Sequence, residues 1–351
     1  MFTVSVTLRA STSLPRRLAV CHSASMPTSE HLSRPSRGPA DLALLHAQFL
    51  GEQRFSARLS PATLRGYHQT FALLVCLMPT LGAQQLTPGA MTEFFRRLET
   101  RARRVGRGQE RVGVKTSTVA TYRSKLSRFF DWLKARGETS ANPLDGMPYP
   151  RVEYEDRKYL GKSAVERIFA ALVLSAPWRS RLLRTRNVAL FSTLLYTGVR
   201  KGELLGLRIT DLDLDHLELT VRAETSKSRL RRVVPINSKL FFALGDYLVE
   251  RRKLPLQSEH LFVGAVGRAP LTAEGLKHMI EQVKRASGVQ FHAHQFRHTF
   301  AVNFLNRGGD IAKLKQLLGH RDIRMTSAYL RCLPTSAMRS DIESITLDTL
   351  L

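Results

Sequence analysis

Apolar residues return at helical spacing along the chain from about Asp41 to Ala141. Leu42, Leu45, Phe49 and Leu50 share one face. Ser60-Pro61 reads as an N-cap followed by proline at the first helical position, where its missing N–H is no loss. Leu64, Tyr67, Phe71, Leu74, Val75 and Met78 form the stripe behind it. Thr87-Pro88 repeats that start signal ahead of Met91, Phe94, Phe95 and Leu98. From Thr118 to Lys134, the residues Val119, Tyr122, Leu126, Phe129, Phe130 and Leu133 point inward. Four helices with short joints predict a small helical domain over residues 41–145.

Asn142-Pro143 ends that domain, and residues 146–160, with Pro148, Pro150 and a charged run from Glu153 to Lys158, read as a linker. Ser163 and Glu166 then have the spacing of a capping box. In the second domain, residues 161–340, Leu217–Ala223 and Arg231–Ile236 alternate or are β-branched, with a polar turn between them that predicts a hairpin. Helices are expected at about 187–196, 272–286, 294–306 and 310–318. The fold class is therefore mainly α with a small β-hairpin or sheet. Residues 1–40, rich in Ser, Pro and Arg with Glu30 as the one acid, read as a disordered tail rather than a transit peptide, and Met26 is a second candidate start.

Charge narrows the function. The 351 residues carry 54 Lys+Arg against 29 Asp+Glu, formally +25, in an otherwise ordinary composition of 43% hydrophobic residues. So large an excess repels itself within a fold and attracts polyanions, of which nucleic acid is the commonest. Between Arg96 and Arg136 the chain holds thirteen Lys/Arg and three acids, Glu99, Glu110 and Asp131. Arg101, Arg103, Arg104, Arg107 and Arg111 fall in a glycine-containing loop, Lys115 follows, and Arg123, Lys125 and Arg128 ride the next helix; phosphate contact is their natural use. The three cysteines, Cys21, Cys76 and Cys332, have no disulfide or zinc-like spacing and suit a reducing, cytoplasmic compartment. No apolar run reaches the length of a membrane span.

Four segments of the second domain carry chemistry-bearing residues in order. Thr197-Gly198-Val199-Arg200-Lys201-Gly202-Glu203-Leu204 follows an apolar helix, and Lys227 lies in the hairpin turn. His294-Gln295-Phe296-Arg297-His298 opens a helix, and Leu318-Gly319-His320 precedes Tyr329 by nine residues. Singly these are weak signals; in this order they resemble the tyrosine recombinases of the phage integrase family, whose signature is Arg, Lys, H-x-x-R, L-G-H and a nucleophilic Tyr. The resemblance runs from about Asp41 onward, and Val199, Lys201 and Gln295 depart from the commonest residues without removing a catalytic group.

The resemblance implies a helical core-binding domain, joined to a mixed α/β catalytic domain of the type IB topoisomerase-like fold. It implies a site-specific recombinase that forms a 3′-phosphotyrosyl link to double-stranded DNA with no cofactor, metal or ATP. Tyr329 would be the nucleophile, Lys227 the acid for the 5′-hydroxyl, and His294 an aid to the phenol. The chemistry agrees. A pentavalent phosphate gathers negative charge that preorganised donors stabilise, and guanidiniums stay charged at any working pH, so Arg200 and Arg297 would clamp it with His320 as a third donor. Glu203 would buttress Arg200. In relatives a terminal helix docks into a neighbouring protomer, and Ile345, Leu347, Leu350 and Leu351 in the tail 341–351 suit that role in a homo-tetramer on two DNA sites. The lack of a separate N-terminal arm-binding domain favours a Xer-like or mobile-element enzyme, nucleoid-associated in the cytoplasm.

Other readings of these residues are weaker. Asp211, Asp213 and Asp215 alternate like turn and edge residues rather than magnesium ligands. His294 and His298 are one helical turn apart, but lack the H-E-x-x-H glutamate of a zinc site. His298 itself reads as structural, and Tyr329, taken alone, as a packed core residue. A catalytically silent DNA-binding regulator is the alternative function, and a type IB topoisomerase the third.

Overall fold

The computed structural model describes residues 39–105, 108–151, 159–255, 258–264, 269–335 and 342, and divides into two compact units at Glu153/Tyr154. Four helices build the first unit: α1 (Pro39–Phe55), α2 (Pro61–Leu77), α3 (Pro88–Thr100) and α4 (Thr116–Ala135). The two predicted starts form as sequence dictates. Ser60 Oγ accepts from Thr63 N–H and Thr87 Oγ1 from Ala90 N–H, both at 3.2 Å, which satisfies a backbone donor at each helix start. Phe49, Leu74, Met91, Phe94, Phe129, Phe130 and Leu133 fill the core. His46 is buried among them, stacked 3.9 Å from the Phe71 ring. Burial, with the nearby His68, pulls its pKa down to about 4, because the apolar surroundings cannot solvate an imidazolium.

The arginine-rich stretch between α3 and α4 is not a loop. It forms a hairpin, β1 (Ala102–Val105) and β2 (Gln109–Val112), with Arg103 paired opposite Arg111 and Arg104 opposite Glu110. Most of its residues are exposed, and like charges facing across a ladder repel. Only β1 alternates, between exposed and half-buried positions, and β2 is exposed throughout, so no apolar period-2 signal marks the hairpin in the sequence. Arg123, grouped with the phosphate-facing cations on sequence, is buried. Its guanidinium donates to the Leu144, Met147 and Pro148 carbonyls, tying down the chain that follows α4.

The second unit comprises α5 (Lys162–Ala170), α6 (Arg181–Thr197), α7 (Lys201–Gly206), β3 (Leu212–Asp213), β4 (Glu218–Val221), β5 (Arg232–Pro235), α8 (Ser238–Arg252), α9 (Ala273–Ser287), α10 (Ala293–Asn306), α11 (Ile311–Leu318) and α12 (Arg324–Ser327). The expected hairpin is β4–β5, with Leu219 opposite Val234, and β3 adds an unexpected third antiparallel strand. Helix α6 runs along α8 and α10 through the core. Helix α8 was not foreseen. Leu240, Leu244 and Tyr247 are its buried stripe, but Phe242 and Val249 are exposed and blur the period. The Ser163/Glu166 capping box does not form, because the helix starts earlier, at a Gly161 N-cap, leaving Ser163 inside the first turn.

Candidate active site

Three chain segments converge at the C-terminal end of α6. Gly198 closes that helix in the left-handed conformation (φ 62°), and a Cβ there would lie 2.5 Å from the Phe300 ring. Only glycine allows both the turn and the close approach of α10. The turn sets Arg200 at the start of α7 and presents the Gly198 carbonyl to Arg297, whose Nη1 donates to it at 2.8 Å. Arg297 Nη2 donates to the Leu318 carbonyl at 2.7 Å and lies 2.9 Å from His320 Nε2. Gly319, again left-handed (φ 63°), turns the chain after α11 so that His320 faces Arg297.

A guanidinium can only donate, so His320 Nε2 accepts and its proton sits on Nδ1, 2.9 Å from Thr326 Oγ1. Thr326 is fully buried, and its hydroxyl can accept from or donate to the imidazole, so it supports either tautomer.

Arg297 is 1% exposed. Burial, and then the positive charge of Arg200, pull its pKa down to about 9, while Tyr329 and Glu203 push it back up. It remains a cation at neutral pH, held in a place that favours the arrival of negative charge. Arg200 keeps partial access to solvent, with Nη1 2.9 Å from Glu203 Oε1. Glu203 is the buried anion of the group. Burial pushes its carboxyl up, but the hydrogen bonds and charge of Arg232, with those of Arg200, outweigh this and bring it to about 2.

Arg232 was missed on sequence. It forms a two-point pair with Glu203 (2.7 and 3.1 Å) and donates Nε–H to the Leu317 carbonyl, linking β5 to α11 beneath the cluster. Its position in a strand, where half the residues point inward, was the one available signal. Lys227 is exposed on the β4–β5 turn, but its neighbours are pinned. Ser226 Oγ donates to Glu203 Oε1 at 3.0 Å, and the Ser228 carbonyl accepts from Arg321 Nε at 2.9 Å.

Tyr329 follows α12 with its ring buried against Ala301, Val302, Leu314 and Leu318, so it is a packed core residue as well as a site residue. Its ring lies parallel to that of His320, 6.5 Å between centroids, and its hydroxyl is 3.2 Å from His298 Nδ1. His298, read from sequence as structural, therefore contacts the hydroxyl of Tyr329. His294, one turn earlier and exposed, packs edge to face on the His298 ring at 4.4 Å. Gln295 makes good its departure from the commoner residue, accepting from His292 N–H to start α10. Lys201 is exposed and Val199 buried, so neither departure disturbs the cluster.

Of the remaining sequence candidates, Arg104, Arg111, Lys115 and Arg128 are exposed, while Arg101, Arg103 and Lys125 are half-buried. Arg107 and the apolar tail residues Ile345, Leu347, Leu350 and Leu351 lie outside the described residues. Asp211 pairs with Arg222 and Asp213 with His216, and among the described residues no three His, Cys, Asp or Glu side chains gather as a metal site. No described helix is long and apolar enough to cross a membrane.

The fold and this cluster point together to the class of site-specific tyrosine recombinases, and the comparisons with known proteins bear that class out. Residues 158–335 match the Phage integrase family, and the chain belongs to it. Tyrosine recombinase XerC of Salmonella typhi is 30% identical over 285 residues, covering 80% of this chain and 88% of that protein. XerC of Bacillus licheniformis is 33% identical over 224 residues, 62% of this chain and 71% of that one. The Tn1549 transposon integrase, solved in complex with a circular intermediate DNA, superposes with a TM-score of 0.68 over 89% of this chain and 100% of that one. At 18% identity that likeness shows the fold.

Proposed function

We propose that this protein cuts and rejoins double-stranded DNA at specific sites through a 3′-phosphotyrosyl intermediate. The observation that carries this is the convergence of Arg200, Arg297, His320 and Tyr329, contributed by separated stretches of chain, on one place in the second unit. The two guanidiniums clamp the non-bridging oxygens of the reacting phosphate. His320 becomes the third donor once the phosphate takes the place of the Arg297 contact at Nε2 and the proton moves to that nitrogen, a tautomer Thr326 accommodates by donating to Nδ1. Glu203 and Arg232 hold Arg200 from behind. Lys227, exposed on an anchored turn, protonates the 5′-oxygen as it leaves. The new linkage conserves the phosphodiester bond energy, so religation to another 5′-hydroxyl needs no ATP.

The exposed cations of the first unit supply phosphate contacts. Arg104 and Arg111 on the hairpin, and Lys115 and Arg128 at α4, suit that work by charge and access, whereas Arg123 does not. Neighbours of this fold, the Tn1549 and lambda integrases among them, were solved on DNA, which supports the duplex as partner. The active unit we infer is a homo-tetramer on two sites, in the cytoplasm, with the terminal apolar stripe docked into the next protomer. Deleting residues 340–351 then abolishes strand exchange and spares single-site binding; a truncated protein that recombines normally overturns the docking.

A duplex nicked beside the cleavage point tests the function itself. A covalent adduct that Tyr329→Phe abolishes is expected. Binding without an adduct supports the silent regulator, and relaxation of any supercoiled plasmid without a site supports a topoisomerase.

A further inference from the structure

We propose that His298 is a catalytic residue, holding the Tyr329 phenol and taking its proton as the oxygen attacks phosphorus; this rests on the recombinase reading above. The signature motif stops one residue earlier, at Arg297. Yet the two neighbours face opposite tasks from the same turn of α10. Arg297 reaches Gly198, Leu318 and His320, and His298 reaches the nucleophile, Nδ1 to Oη 3.2 Å.

Three features suit the pair to proton transfer. Both side chains are buried, Tyr329 at 1% and His298 at 9% exposure, so bulk water is a poor competitor for the proton. The contact runs from the edge of the imidazole, with the rings tilted by 54° and their centroids 5.6 Å apart, as a hydrogen bond to a ring nitrogen requires. His294 packs edge to face on the His298 ring at 4.4 Å, which holds that imidazole in its orientation toward Tyr329.

A neutral phenol is a weak nucleophile, so an imidazole acceptor answers a real deficit. In cleavage the proton of Oη passes to His298 Nδ1, Oη bonds to phosphorus, the P–O5′ bond breaks, and the 5′-oxygen takes a proton from Lys227. Religation returns both protons.

The test uses duplexes that the full-length wild type captures covalently from a randomised library, rebuilt with a nick. His298→Asn, which keeps an acceptor but not a base, is expected to slow adduct formation by ~10²-fold or more with DNA affinity unchanged. A bridging sulfur in place of the 5′-oxygen leaves without a proton, so it restores Lys227→Ala and not His298→Asn. Wild-type cleavage by His298→Asn, or its restoration by sulfur, overturns the proposal. A second measurement covers a variant that fails to fold. In nitrogen-15 histidine-labelled protein, Tyr329→Phe is expected to shift the His298 Nδ1 resonance, and an unmoved resonance overturns the contact. Should the wild type capture no duplex at all, the recombinase reading fails, and the Nδ1 resonance still decides the His298 contact.

Discussion

The molecule carries positive charge in two contrasting ways. On the β1–β2 hairpin, arginines stand mostly in water, Arg103 against Arg111, with Arg104 meeting Glu110 only at 3.8 Å. Behind Tyr329, Arg297 and Arg232 are almost wholly buried, each fixed by backbone carbonyls and by His320 or Glu203. The same residue type serves a range of geometries in the first place and one geometry in the second. Exposed charge is screened by salt and interchangeable; buried charge is insensitive to salt and intolerant of substitution.

The sharpest break of that contrast is Arg297→Lys. An ammonium keeps the charge but cannot hold two carbonyls and an imidazole in one plane, so cleavage is expected to fall ~10²–10³-fold, read as adduct formation on a nicked duplex. The same change at Arg104 is expected to leave cleavage unaltered. Equal losses at both positions would erase the distinction.

Glu203→Gln comes next. It leaves Arg232 buried beside a neutral amide, and unfolding of the second unit is expected to lose about 3 kcal/mol in denaturant titration. The carboxyl's pKa of about 2 lies below its ordinary value, so its stabilisation is present above about pH 4.5 and lost as pH falls toward 2. The Gln variant is expected to lack that part of the acid transition.

The first unit loses stability in the same direction, but from a group buried neutral rather than charged. His46 is held neutral to about pH 4, while the unfolded chain protonates it near 6.5. The unfolded state binds the extra proton in that window, so stability is full above pH 6.5 and declines as pH falls to 4. His46→Phe is expected to flatten this slope in thermal melts at pH 4–7.

The smallest effect belongs to the hairpin. Each phosphate contact contributes about 0.9 to the slope of log K against log[salt], so Arg104→Gln or Arg111→Gln is expected to lower that slope by about one. An unchanged slope would remove the hairpin from the DNA interface.

The same contrast explains what could be read in advance. The helices of the first unit were legible because Ser60 and Thr87 cap them and a single stripe faces the core. Helix α8 was hidden by exposed Phe242 and Val249, and the β1–β2 hairpin by having no buried face to impose an apolar alternation. Among the site residues, the order of Arg200, Lys227, Arg297, His320 and Tyr329 marked the cluster. Arg232 and His298 were opaque, because their meaning comes from partners far along the chain, Glu203 and Tyr329. Arg123 misled for the converse reason: its charge looked available until the carbonyls after α4 were seen to hold it.

The most direct test is the chemical identity of the linkage. After the wild type is trapped on a nicked duplex in EDTA, digestion and mass spectrometry should find the 3′-phosphate of the cut strand on the peptide containing Tyr329. A phosphate on another residue, a linkage to the 5′ end, or an adduct that survives Tyr329→Phe would contradict the account.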